Sequence, residues 1–176
     1  MSRKIALAAL ALSLIFVNWS IFQKEQHLAQ GRTVFLELAP VDPRSLMQGD
    51  YMALRFRLAD EVYRVLSEPQ AAGRRRVLQV GDGYVVVSLD ERNIGSFARL
   101  HTGQSLSEEE LLIRYRVRTS AVKLATNAFF FQEGQGAYYE PARYGMFRVD
   151  GKGELLLVAM YDKDLKLLGP KADQAP

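Results

Sequence analysis

The sequence predicts a mainly β protein with minor α content. An amino-terminal transmembrane helix leads into one antiparallel β domain, barrel-like or strongly curved, with one or two short helices. Three observations point there. An apolar run fills residues 5–22, interrupted only by Ser13, Asn18 and Ser20. Beyond it, short segments alternate apolar and polar side chains with the period of a half-buried strand. Turn-forming Gly, Asp and Asn residues separate those segments, and so many short strands are best accommodated by a closed or strongly curved sheet, which leaves few exposed edges.

The anchor comes first. The run from Ile5 to Phe22 is apolar on all sides rather than on one face, as expected of a helix surrounded by lipid. About twenty helical residues cross the hydrocarbon core, so this run reaches the short end of the spanning range. The small residues Ala8, Ala9 and Ala11 come early and LIFVNWSIF follows them, the reverse of a signal-peptidase site, so the anchor is expected to stay uncleaved. Arg3 and Lys4 hold the amino terminus in the cytoplasm, although Lys24 weakens the asymmetry, and everything after about Gln23 then faces outward. Trp19 and Phe22 suit the lipid boundary. Residues 1–23 thus form the cytoplasmic start and anchor, and the polar residues 24–32 a stalk.

The β domain is expected over residues 33–168. TVFLELA alternates from Thr33 to Ala39, and a second strand runs from Tyr51 to about Leu58, with Met52, Leu54, Phe56 and Leu58 on one side. ADEVYRVLSE places Val62, Val65 and Leu66 at helical spacing before Pro69 and predicts a short amphipathic helix. In RRRVLQVGDGYVVVSLD, Gly-Asp-Gly is expected to turn one strand into the next, and DERN turns the chain again into IGSFARL, giving a three-stranded meander. LIRYRVR sets Ile113, Tyr115 and Val117 on one face and Arg114, Arg116 and Arg118 on the other. VKLATNAFFFQEG reads as a further strand, YYEPARYG as a short helical turn with Pro141 in its first turn, and GMFRVDGKGELLLVAMYD as a closing hairpin. Residues 169–176 read as a disordered tail.

Composition narrows the function classes. The formal charge is +3, but setting aside Arg3 and Lys4 leaves 21 basic against 20 acidic residues, which gives no reason to expect a nucleic-acid partner. There is no cysteine, hence no disulfide framework and no thiol nucleophile. With His27 and His101 the only histidines, a His-rich zinc site cannot be assembled; no metal or cofactor is expected.

GDYMALRF resembles the signature of the GDYXXLXY family, with Gly49, Asp50, Tyr51 and Leu54 matching and Phe56 standing where the motif has tyrosine. FFFQEGQGAYYEPARYGMFRVDGKGELLLV is similar to the family's carboxy-terminal block, so the resemblance covers most of residues 33–168. It implies a small bacterial membrane-anchored protein and carries no catalytic residues. The loss of a hydroxyl at Phe56, with the ring kept, points to packing at that position.

The candidate binding residues are Asp42, Arg44, Asp50 and Tyr51 in the loop and motif, and Glu133, Tyr139, Glu140 and Arg143 in the later block. Gly49 and Asp50 read as a turn that aims a strand, while Asp42 and Arg44 form a recognition surface on a loop held by rigid strands. Glu133 and Glu140 are carboxylates suited to acid–base work or a hard cation, but the plainer expectation is that Glu140 pairs with Arg143 across a helical turn. A hydrolase reading would make Ser45 a nucleophile with Lys123 as its base, though no second motif supports that pairing. Phe129, Phe130 and Phe131 must face alternate sides of a strand and hint at an interaction surface. The arginine stripe reads as a solvated face or, alternatively, as a site for anionic headgroups or envelope polymers. The leading expectation is a single-pass protein of the bacterial cytoplasmic membrane, held in the bilayer by residues 5–22. Its outward-facing domain binds, as an accessory to an integral membrane partner.

Overall fold

The structure, a computed structural model, describes residues 2–39, 47–48, 51–68 and 79–170. Helix α1 (Ser2–Gln30) covers the apolar run and continues through the polar stretch expected as a stalk. QKEQHLAQ is built from good helix formers, so nothing stops the helix before Gly31. There the Gly31 N–H donates to the His27 carbonyl at 3.0 Å, and a Cβ at this position would lie 2.6 Å from that oxygen. Glycine is needed for so close an exit from the helix.

The chain then enters β1 (Arg32–Glu37) and continues through β2 (Met47–Gln48), β3 (Tyr51–Ala53), α2 (Arg57–Ser67), β4 (Gly81–Leu89), β5 (Gly95–Leu100), β6 (Glu110–Arg118), β7 (Ala121–Lys123) and β8 (Ala128–Phe130). A 3-10 turn at Gly136–Tyr138 precedes β9 (Tyr144–Val149) and β10 (Leu155–Tyr161). The strands form three antiparallel sheets, ordered β1-β9-β10, β2-β3-β8 and β5-β4-β6-β7. Isolated bridges stitch them into a curled half-barrel: Phe35 to Ile94 joins the first sheet to the third, and Leu38 to Phe56 joins β1 to the end of the motif. The Arg114 N–H, donating to the Gly153 carbonyl at 2.9 Å, ties β6 to the β9–β10 turn.

Several expected elements change at their edges. The strand from Tyr51 ends at Ala53, although Met52, Leu54 and Phe56 are all buried, so the extended alternation holds through Phe56. Phe56 has extended backbone angles (φ −113°, ψ 135°) and α2 begins at the next residue, where Leu58 is buried with Val62 one turn on. Leu58 fitted both periods. Gly81-Asp82-Gly83 is no turn: it lies inside β4, opposite Val117, Arg116 and Tyr115. The Tyr115 side chain lies over Gly83, where a Cβ would meet its hydroxyl at 2.4 Å, so glycine serves close packing here. The expected strand before it falls largely on residues 69–78, outside the described residues, and β4 takes β6 as its second neighbour. VKLATNAFFF divides at buried Leu124, with β7 pairing β6 and β8 pairing β3 in another sheet. The helical turn comes at Gly136–Tyr138, ahead of Pro141 rather than around it. Of the expected tail, residues 171–176 lie outside the described residues.

The core collects Val34 and Leu36 from β1, Val85 and Val87 from β4, Ile113 from β6, Phe147 from β9, Met160 from β10 and Val62 from α2. Phe56 and Phe147 meet edge to face at 5.3 Å between ring centres. Phe147 is completely buried, so Phe147→Ala should destabilise the full chain by about 3–5 kcal/mol in denaturant unfolding.

The long connection from β5 to β6 is closed by Arg99, whose Nη2 donates to Glu110 Oε2 at 3.0 Å and whose Nη1 donates to Oε1. The Ser107 N–H adds a further bond to Oε2 at 3.0 Å. These donors lower the Glu110 carboxyl from 4.5 to about 2. A lowered carboxyl favours the folded state above its unfolded value and loses that contribution as pH falls through its folded value. Stability should therefore decline as the pH drops from about 4.5 toward 2, and Glu110→Gln should flatten that part of the profile in pH-dependent unfolding.

Candidate functional site

The described part of the motif leads straight into a cleft. From β3 the chain passes through Leu54, Arg55 and Phe56 into α2, while β7 runs past on the other side. Between them lies a cavity of about 520 Å³. Buried Leu54, Phe56 and Leu124 form its floor. Arg55, Tyr63, Lys123 and Asn127 stand at its rim. Arg55 is held by Asp60 at 2.9 Å, an exposed pair that orients the side chain more than it stabilises the fold. A smaller basin of about 240 Å³ shares Lys123, Leu124 and Asn127 and extends the cleft to Arg116 and Arg118.

The basic end of this cleft follows from the sheet register. Asp82 lies opposite Arg116 on β4, but its carboxylate is taken by the diagonal neighbours, with Arg114 at 2.6 Å and Arg118 at 2.7 Å. Hydrogen bonds from Arg114 and Arg118 hold the Asp82 carboxyl below its ordinary range. Arg114 also binds Glu154 at 2.5 Å. Of the stripe, then, Arg114 and Arg118 are neutralised by carboxylates. Arg116 faces Lys123 across β6–β7, and among the described residues neither has an ion-pair partner. Two unpaired cations side by side cost energy unless an anion joins them.

The wall α2 is fixed by charge as well as packing. Glu37 accepts from Arg57 at 3.0 Å on one oxygen and from Arg143 at 2.8 Å on the other. Arg143 thus pairs with Glu37, not with Glu140 as its spacing suggested. Glu140 and Glu133 are exposed on the chain around the 3-10 turn. Tyr139 is buried, stacked on Phe131 at 5.3 Å and against the Phe129 edge at 5.0 Å, and burial raises its phenol. Phe130 points outward, largely exposed, and meets Tyr51 at 5.7 Å. The three phenylalanines split as a strand requires, two into the core margin and one out.

Asp42, Arg44, Asp50 and Ser45 lie outside the described residues. Lys123, suggested as the base of Ser45, is an exposed residue of β7 at the cleft rim. The cleft residues Arg55, Tyr63 and Asn127 were missed. Arg55 occupies a variable position of the motif, and Tyr63 gave one available signal, an aromatic on the polar face of an amphipathic helix.

A strained turn closes the cleft's edge. Thr119 and Ser120 join β6 to β7 with φ of 50° and 59°, and Ser120 lines the cleft. Two-residue hairpin loops of this form favour Asn-Gly, because left-handed angles crowd a β-branched side chain. The double replacement Thr119→Asn, Ser120→Gly should therefore raise stability by about 1–2 kcal/mol in denaturant unfolding.

A family model described as GDYXXLXY protein matches residues 13–160. No curated protein and no solved structure matches.

Proposed function

The chain belongs to the GDYXXLXY family, and from that premise we propose that it is a membrane-anchored extracytoplasmic binding protein. It serves an integral membrane partner, gripping an acidic and apolar segment of that partner in the cleft between α2 and β7. The observation that carries this reading is the composition of the cleft, with an apolar floor and, at one end, Arg116 and Lys123, which have no ion-pair partner among the described residues. Such a site favours a ligand that brings carboxylates beside apolar side chains, since charge-assisted bonds fix register while burial of the apolar part supplies affinity.

The anchor supports the membrane half of the reading. Residues 7–30 are long and apolar enough to cross a bilayer, and no part of the span's apolar window is buried against the rest of the protein. Leu10, Leu14, Phe16 and Ile21 are all exposed, an arrangement that water disfavours and lipid does not. Placing the basic end inside sets the β domain on the outer side of the bacterial cytoplasmic membrane, where a cleft can meet loops of neighbouring membrane proteins.

A photo-crosslinking residue at Tyr63 in the full-length protein, irradiated in native membranes, tests the reading. One discrete adduct should form with a protein that resists alkaline extraction, and Arg116→Glu with Lys123→Glu should abolish it while leaving the protein membrane-bound. An adduct unchanged by the charge reversal, or adducts only with soluble polymer, would count against the proposal.

A further inference from the structure

A second cavity, of about 670 Å³, lies where α1 meets the β9–β10 turn. Trp19, Phe22, Lys24 and His27 line it from the helix, and Asp150 and Lys152 from the turn. Its walls are held in place. The His27 Nε2–H donates to the Arg148 carbonyl at 2.9 Å. Arg148 in turn reaches back, with Nη1 donating to the Gly31 carbonyl at 3.0 Å and to Thr33 Oγ1 at 2.9 Å. Asp150 Oδ1 accepts the backbone N–H groups of Lys152 and Glu154, each at 2.9 Å, which shapes the turn.

The charges that remain are mixed in sign. Glu154 is engaged by Arg114, and among the described residues Lys24 and Lys152 have no carboxylate partner. Asp150 keeps one carboxylate oxygen outside the turn bonds. The cavity is therefore lined by two ammonium groups and two carboxylates, of which Glu154 is already paired with Arg114 and Asp150 is not ion-paired among the described residues, beside two exposed aromatic rings. Depth agrees with the chemistry. Trp19 and Phe22 sit at the end of the apolar run, and the headgroup layer begins there and extends about 5–7 Å per leaflet. Lys24 follows Phe22 by about 3 Å of helix rise.

We propose that this cavity binds the headgroup of a zwitterionic, ethanolamine-type phospholipid. Lys24 and Lys152 take the phosphate, Asp150 takes the ammonium, and the acyl chains lie along Trp19 and Phe22. This rests on the reading that α1 lies in lipid. A wholly anionic headgroup would leave Asp150 facing a negative charge.

Trp19 is the only tryptophan in the chain and lines the site, so its emission reports occupancy. Full-length protein in a non-ionic detergent would be titrated with short-chain phosphatidylethanolamine. The emission should change saturably, with affinity falling about five-fold for each of Lys24→Gln and Lys152→Gln. Asp150→Asn keeps the turn-forming oxygen and should erase the preference for ethanolamine over glycerol headgroups. A non-saturating response, equal affinity in the lysine variants, or a standing preference for phosphatidylglycerol overturns the proposal. Soluble glycerophosphoethanolamine should compete only weakly; binding as tight as the lipid would assign the site to a soluble ligand instead. Release of the wild-type protein from membranes by alkaline carbonate would overturn the membrane reading itself, separately from the headgroup site.

Discussion

The placement of β1 constrains nearly everything else. It leaves α1 through Gly31, pairs β9 along its whole length and turns Val34 and Leu36 fully into the core. Phe35 bridges to Ile94 and so holds the third sheet, while its ring meets Tyr161 of β10 edge on at 5.1 Å. The end of β1 captures the motif: Leu38 bridges Phe56, and the Ala39 N–H donates to the Arg55 carbonyl at 2.8 Å. Glu37 collects Arg57 from α2 and Arg143 from the approach to β9. A one-residue slip would exchange the faces of β1, exposing Val34 and Leu36 and burying Glu37, so its register is strongly specified.

Both candidate sites follow from that seam. At its far end, the motif is held extended until Phe56 and then released into α2, and this change of conformation opens the cleft. Leu54 and Phe56 point inward and become the cleft floor, leaving Arg55 between them to face out. The positions that name the family thus act by packing where they are described, and Phe56 keeps the ring that packing on Phe147 requires. At its near end, Gly31 brings α1 close enough to β9 for His27 to reach the Arg148 carbonyl, and the cavity beneath forms between helix and turn.

Much of this architecture was legible because alternation is a direct report of burial. LIRYRVR, TVFLE and the final hairpin fold as their patterns indicate, with Ile113, Tyr115 and Val117 buried. Two of the failures share a cause: one residue satisfied two periods or two roles. Leu58 matched a strand but is buried through a helix, and Gly81 and Gly83 matched a turn where Gly83 makes room for Tyr115. Glu140 and Arg143 had helical spacing, yet the long-range partner Glu37 took the arginine, which local spacing cannot reveal. The polar residues 24–30 lacked apolar periodicity and still formed helix, because they propagate one already started and carry no breaker. The cleft was legible only in part, since Lys123 lies far along the chain from Arg55 and Tyr63 and meets them only because β7 packs beside α2.

The ion pairs between the two sites have a role that their strength alone would not suggest. Glu154, Arg114, Asp82 and Arg118 form a continuous chain from the β9–β10 turn to the basic end of the cleft. Each pair is partly exposed and screened by solvent, so the chain is a poor source of fold stability. Its effect lies in allocation. Asp82 is directly opposite Arg116 in the β4–β6 register and would be its natural partner, but Arg114 and Arg118 occupy both of its oxygens. Arg114 can do so while also holding Glu154, because a guanidinium presents several donors in a fixed plane. Among the described residues Arg116 is thereby left beside Lys123 without an ion-pair partner, and that surplus underlies the anion preference proposed for the cleft.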